Sequence, residues 1–97
     1  LGTVDGHSCA PSLRQALIAA MATQQRFTHV TDGRFKGGHI TRHYGQPSQN
    51  VHAVQLEMCW RTYMNEGPPA AWSDGQAAEA TPLLRKLVRT MIDWRAA

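Results

Sequence analysis

VHAVQLEM, Val51 to Met58, decides how this chain is read. Its apolar and polar residues alternate as on a β-strand, where successive side chains point to opposite faces. One face carries His52, Val54, Leu56 and Met58, is mostly apolar, and should pack on a core. The other carries Val51, Ala53, Gln55 and Glu57; it begins apolar and turns polar toward the carboxyl end. Open α/β sheets hold their ligands at the carboxyl ends of strands, so Glu57 stands where proton transfer is commonly seated. The plain alternative is an exposed, inert acid at a strand end.

Immediately upstream lies DGRFKGGHITRHYG, residues 32–45, with three cations, Arg34, Lys36 and Arg42. Gly37-Gly38 between them permits backbone shapes and close ligand approach that other residues block. Arg grips carboxylates in bidentate fashion and Lys supplies a point charge. A cationic glycine loop beside a strand-end acid suggests an enzyme acting on an acidic small molecule. Three solvated basic side chains on an ordinary loop are the competing explanation.

Further out, residues 1–10 read as a strand remnant and loop punctuated by Gly2 and Gly6. Pro11 suits the first turn of a helix, with Ser12 and Gln15 as a candidate capping box. Leu13, Leu17, Ala20 and Met21 mark one face of that helix, which should end near Gln24 or Gln25. Arg26 to Thr31 reads as a short strand and Asp32-Gly33 as a turn. Gln46 to Asn50 is a polar turn, and Trp60 to Glu66 should form one or two helical turns before Gly67-Pro68-Pro69 stops them. A final helix covers about Thr81 to Trp94, with Pro82 in its first turn and a start as early as Ser73 allowed. The order (β)αββα implies part of a layered α/β sheet.

The chain has 97 residues, 42% of them hydrophobic and 18% charged, with net charge +3. This is globular composition for one domain at most. No apolar run approaches the ~20 residues of a membrane span, and no signal-peptide pattern opens the chain. The start on Leu-Gly-Thr, without Met, looks cut from something longer. No zinc-finger, homeodomain or RNP-type motif is present, and the basic residues form no dense stripe, which argues against a nucleic-acid module. Cys9 and Cys59 read as reduced thiols of a cytoplasmic protein. His7 beside Cys9 has nothing nearby to orient a nucleophilic pair. The five histidines form no HExxH or related metal motif. His39 and His43 are four apart, but the residues between them show no strong helical pattern, so they read as loop histidines.

Taken together, GRFKGGHITRHYG (33–45) followed by VHAVQLEM (51–58) resembles the C-terminal third of the N-formylglutamate amidohydrolases, also called N-formylglutamate deformylases. LGTVDGHSCAP (1–11) and RTYMNE (61–66) fit the same family. The family often carries Tyr where His39 stands and Asp where Ala10 stands; without that Asp a helix cap is lost. The resemblance implies that residues 1–97 are a single partial domain. It would belong to a zinc-carboxypeptidase-like (phosphorylase/hydrolase-like) α/β/α layered catalytic domain. It implies hydrolysis of N-formyl-L-glutamate to formate and L-glutamate in histidine catabolism, in the cytoplasm. The cofactor would be a divalent metal, zinc, whose ligands lie upstream, so no metal ligand is assigned to this chain. Glu57 takes the role of general base and then acid. Arg34, Lys36, Gly37, Gly38, Thr41, Arg42 and His43 take substrate binding. The expected partner is a small acidic substrate, with neither nucleic acid nor membrane, and the isolated fragment should self-associate and be inactive. The rivals are a hydrolase of another N-acyl amino acid and a small, basic, non-catalytic binding module.

Overall fold

A computed structural model of the chain describes residues 1–96. Helix α1, Pro11–Met21, starts on Pro11 and buries Leu13, Leu17, Ala20 and Met21. Its last carbonyls find nearby donors: Thr23 Oγ1 donates to Ala20 O at 2.7 Å and Gln24 Nε2 to Met21 O at 2.9 Å. The helix therefore ends at Met21, short of the expected Gln24. The capping box does not form either. Ala10 is the N-cap and makes no side-chain cap bond. Ser12 Oγ instead accepts from Trp94 Nε1 at 3.0 Å, tying the start of α1 to the far end of the chain.

Helix α2, His39–Tyr44, occupies a stretch read from sequence as loop. It is six residues long, buries only Thr41, and is bounded by Gly38 and Gly45. One buried side chain cannot display a helical period, which is why the pattern was invisible. Its basic last turn, Arg42 and His43, suits the negative end of the helix dipole. A 3₁₀ turn, Pro47–Gln49, follows.

Val51 to Met58 is extended, but it is not a strand of a broad sheet. It makes two isolated antiparallel bridges, Gln46 with Val51 and Gly2 with Gln55. Between them Ala53 N–H donates to Ser8 O at 2.9 Å, and Ser8 Oγ donates back to Ala53 O at 2.6 Å. A side-chain hydroxyl thus replaces one rung of the ladder. Val54 packs against the core as expected of its face, whereas Leu56 and Met58 are exposed. Arg26 to Thr31 forms no strand. Gln24 satisfies both backbone groups of Phe27, accepting its N–H at 2.7 Å and donating to its carbonyl at 3.0 Å, which makes a local turn in place of cross-strand pairing.

The segment Leu1–Thr3 runs between these pieces and turns at Val4, whose φ is +51°. Gly2 exchanges both backbone hydrogen bonds with Gln55 (2.8 and 2.9 Å), Asp32 N–H donates to Leu1 O (2.8 Å), and Val4 N–H donates to Lys36 O (2.7 Å). Gly2 lies so close to the Lys36–Gly37 peptide that a Cβ would sit 2.6 Å from the Lys36 carbonyl carbon. A side chain there would push the cationic loop outward.

After a 3₁₀ turn at Trp60–Thr62, strands β1, Met64–Asn65, and β2, Ala71–Trp72, pair antiparallel with Met64 opposite Trp72. This two-stranded ribbon is the sheet found among the described residues. The molecule is thus a small mixture of helix and strand. Helix α3, Asp74–Asp93, begins at the early limit allowed by the sequence: Ser73 caps it by accepting from Gln76 N–H at 3.3 Å. Pro82 accordingly lies inside the helix and not in its first turn. There it deletes one ladder bond, to the carbonyl four residues earlier. Leu87 and the partly buried Leu83 and Trp94 pack on α1, which completes the core with Cys9, Leu13, Leu17, Ala20 and Met21. Val88, Met91 and Ile92 remain exposed.

Candidate functional site

The glycine loop and Glu57 meet through one side chain. Gly38 N–H donates to Gln55 Oε1 at 2.8 Å, and Gln55 Nε2 donates to Glu57 Oε2 at 3.0 Å. Two residues apart on an extended chain, Gln55 and Glu57 share a face. Glu57 is exposed, as expected for an acid at an open rim. Gly37 has φ +113°, a conformation L side chains rarely adopt, and its missing Cβ makes room for Thr41 beside it. Thr41, expected to face substrate, is 2% exposed and donates its hydroxyl to Gly38 O at 2.9 Å. It props the loop from beneath.

The cations are less convergent. Arg42 donates to Gly37 O at 3.2 Å, which holds its guanidinium near the loop. Lys36 Nζ pairs with Asp5 at 3.0 Å, both side chains being about half exposed. Arg34 lies over the Phe35 ring at 5.8 Å, and no bond links it to the other two. His43 stacks on His39, ring centroids 5.0 Å apart, with Tyr44 edge-on at 4.7 Å. These two histidines do share a helical face, but they are only a pair. No three His, Cys, Asp or Glu side chains come together among the described residues. Cys9 is fully buried, and burial pushes its thiol above the usual range, with Asp32 adding to the rise against Arg14. His7 Nδ1 is bonded to Val4 O at 2.7 Å, so no nucleophilic pair exists here.

Beneath the rim sits a polar knot that sequence reading missed. Asp32, side chain 4% exposed, accepts from Thr3 N–H at 2.7 Å, from the Thr3 hydroxyl, and from Arg14 Nη2 at 3.0 Å. Burial alone would raise this carboxyl. The donors from Thr3, Arg14 and the Asp5 backbone outweigh it and hold the group at about 2. Asp32 read as a turn residue, which it is, with φ +53°. That its partners would be Thr3 and Arg14, 29 and 18 positions away, had no local signal.

The same segments carry the likeness to known proteins. A family model described as N-formylglutamate amidohydrolase matches residues 1–64. The chain belongs to this family. The matched part contains Leu1–Val4, the knot, the glycine loop and Glu57; β2 and α3 lie beyond it. A protein of Pseudomonas aeruginosa named N-formylglutamate deformylase is 49% identical over 94 residues, covering 97% of this chain and 35% of the relative. One of the same name from Pseudomonas putida is 44% identical over 96 residues, covering 99% of this chain and 36% of the relative. The chain thus spans about a third of the length of these curated relatives. No solved structure matches it. No helix is long and apolar enough to cross a membrane among the described residues.

Proposed function

We propose that the full-length protein carrying this chain hydrolyses N-formyl-L-glutamate to formate and L-glutamate. In this reading the chain supplies the general base, Glu57, and the anion-binding loop with Arg34, Lys36 and Arg42. The observation that carries it is the Gly38–Gln55–Glu57 hydrogen-bond chain, which joins that loop to an exposed carboxylate. The relatives' names supply the substrate. Glu57 takes a proton from the water that attacks the formyl carbon. It then returns the proton to the amide nitrogen as the C–N bond breaks. The cationic loop binds the substrate's carboxylates through charge-assisted hydrogen bonds.

The same reading gives the whole protein a zinc-carboxypeptidase-like layered fold, a divalent metal held by residues outside this chain, and a cytoplasmic place in histidine breakdown. Isolated, residues 1–97 self-associate through exposed apolar side chains such as Val88, Met91 and Ile92 of α3. The test is formate release by the full-length protein from N-formyl-L-glutamate, before and after chelation and after metal return. Equimolar formate and glutamate, lost on chelation and restored by a divalent metal, is expected. Cleavage of other N-acyl amino acids in preference to N-formyl-L-glutamate would sink the substrate assignment.

A further inference from the structure

Gln55 is bonded on every side that matters to the rim. Its backbone N–H and carbonyl are both used by Gly2. Its side-chain oxygen accepts from Gly38 N–H at 2.8 Å, and its side-chain nitrogen donates to Glu57 Oε2 at 3.0 Å. The orientation of the amide is not a free choice. A backbone N–H can only donate, so the oxygen end must face Gly38 and the NH₂ end must face the carboxylate. Among uncharged side chains of this length only an amide meets both demands.

We propose that Gln55 is the positioning residue that couples the orientation of Glu57 to the glycine loop. The inference rests on Glu57 being the base. Its amide holds Oε2 at 3.0 Å, which leaves Oε1 free of that bond to receive the proton. The oxygen end registers the place of Gly38, next to the Gly37 carbonyl that Arg42 grips. A substrate carboxylate drawing on Arg42 therefore acts on a loop whose next N–H is tied, through one side chain, to the base. The loop and the base adjust together, and a bound acid finds the carboxylate already aimed.

Two substitutions separate the ends of the amide. Gln55→Glu keeps an acceptor for Gly38 but replaces the donor with a second negative charge beside Glu57. Gln55→Met removes both contacts at similar length. In the full-length enzyme, Q55E is expected to move the acid limb of the kcat/KM–pH profile upward by about one pH unit. Its KM above that limb should stay within about twofold of the parent. Q55M is expected to lower kcat on the order of 10- to 100-fold, the scale of a misplaced catalytic group, and to raise KM as the loop loosens. A fold defect alone would lower the active fraction and shift neither the pH limb nor KM. An unmoved acid limb in Q55E, or parental kcat and KM in Q55M, overturns the coupling. If Q55E does not fold, Q55M decides the matter alone. E57Q run beside them distinguishes the two failures. If E57Q turns over normally, the base assignment falls and the coupling with it. If E57Q is inactive while the Gln55 variants behave as the parent, only the coupling falls.

Discussion

Two carboxylates a short distance apart in the chain have opposite environments. Asp32 is buried and saturated: backbone, hydroxyl and guanidinium donors converge on it. Glu57 is exposed and receives one donor, the Gln55 amide. A carboxylate whose lone pairs are all engaged is fixed as an anion and holds structure. One with an open oxygen beside solvent can exchange a proton with a ligand. The family match covers both. In the proposed function, their difference separates what holds the rim in place from what acts at it.

If that separation is right, each acid should move one observable and spare the other. Glu57→Gln in the full-length enzyme is expected to lower kcat by roughly 10²–10⁴. Its unfolding free energy should change by no more than about 0.5 kcal/mol, as for a surface substitution. Asp32→Ala is expected to cost about 3 kcal/mol of stability, because Thr3 and Arg14 lose their acceptor at a buried position. Residual turnover per folded molecule should be closer to parental than in Glu57→Gln. Steady-state kinetics with urea unfolding of both variants checks the pair. A collapse of folding in Glu57→Gln would reverse the roles assigned to the two acids.

Acid provides a smaller, independent measure. The Asp32 carboxyl lies at about 2 when folded against 3.8 as the ordinary value, the burial that opposes ionisation being outweighed by the Thr3, Arg14 and Asp5 donors. Its folded value is depressed, so its stabilisation is complete above about pH 4 and is lost as the pH falls through about 2. The amount is about 2 kcal/mol. Unfolding free energy followed from pH 5 to pH 2 should therefore fall less steeply in Asp32→Ala than in the parent. Parallel curves would mean that Asp32 carries no linked proton.

The two acids also mark what could be read from the sequence. The exposed position of Glu57 near the glycine loop was legible because alternation and the loop before it are local patterns. α1 was legible through Pro11 and the spacing of Leu13, Leu17, Ala20 and Met21, all of which are buried. The knot was not, since Thr3, Arg14 and Asp32 meet only through the packing of three separate segments. α2 hid for a different reason, having one buried residue and glycines at both ends. At α3, Pro82 reads as a first-turn residue, yet the helix starts at the early limit that the sequence allowed, capped by Ser73, and runs through Pro82. At residues 26–31, strand propensity lost to the Gln24 side chain, which satisfies Phe27 locally. Gln55 stands between these cases: its face was evident from alternation, but its contact with Gly38 needed the fold.

The smallest expected effect tests whether the contrast extends to the cations. Arg14–Asp32 is a buried pair on the carboxylate side, the Arg14 side chain being 30% exposed. Lys36–Asp5 has the same 3.0 Å separation but side chains 49% and 55% exposed. Water screens such a pair, and exposed ion pairs contribute about 0.2–1 kcal/mol. A double-mutant cycle with Lys36→Met and Asp5→Asn should give a coupling energy in that range, shrinking as salt is added. Lys36 belongs to the substrate loop in the proposed function, so its larger effect should be kinetic. Lys36→Met is expected to raise KM for N-formyl-L-glutamate about tenfold, the loss of one charge-assisted contact. Asp5→Asn releases the ammonium from its internal partner and should leave KM unchanged or lower it. A coupling energy well above 1 kcal/mol with an unchanged KM in Lys36→Met would put Lys36 with the knot, as structure, and shrink the anion site to Arg34 and Arg42.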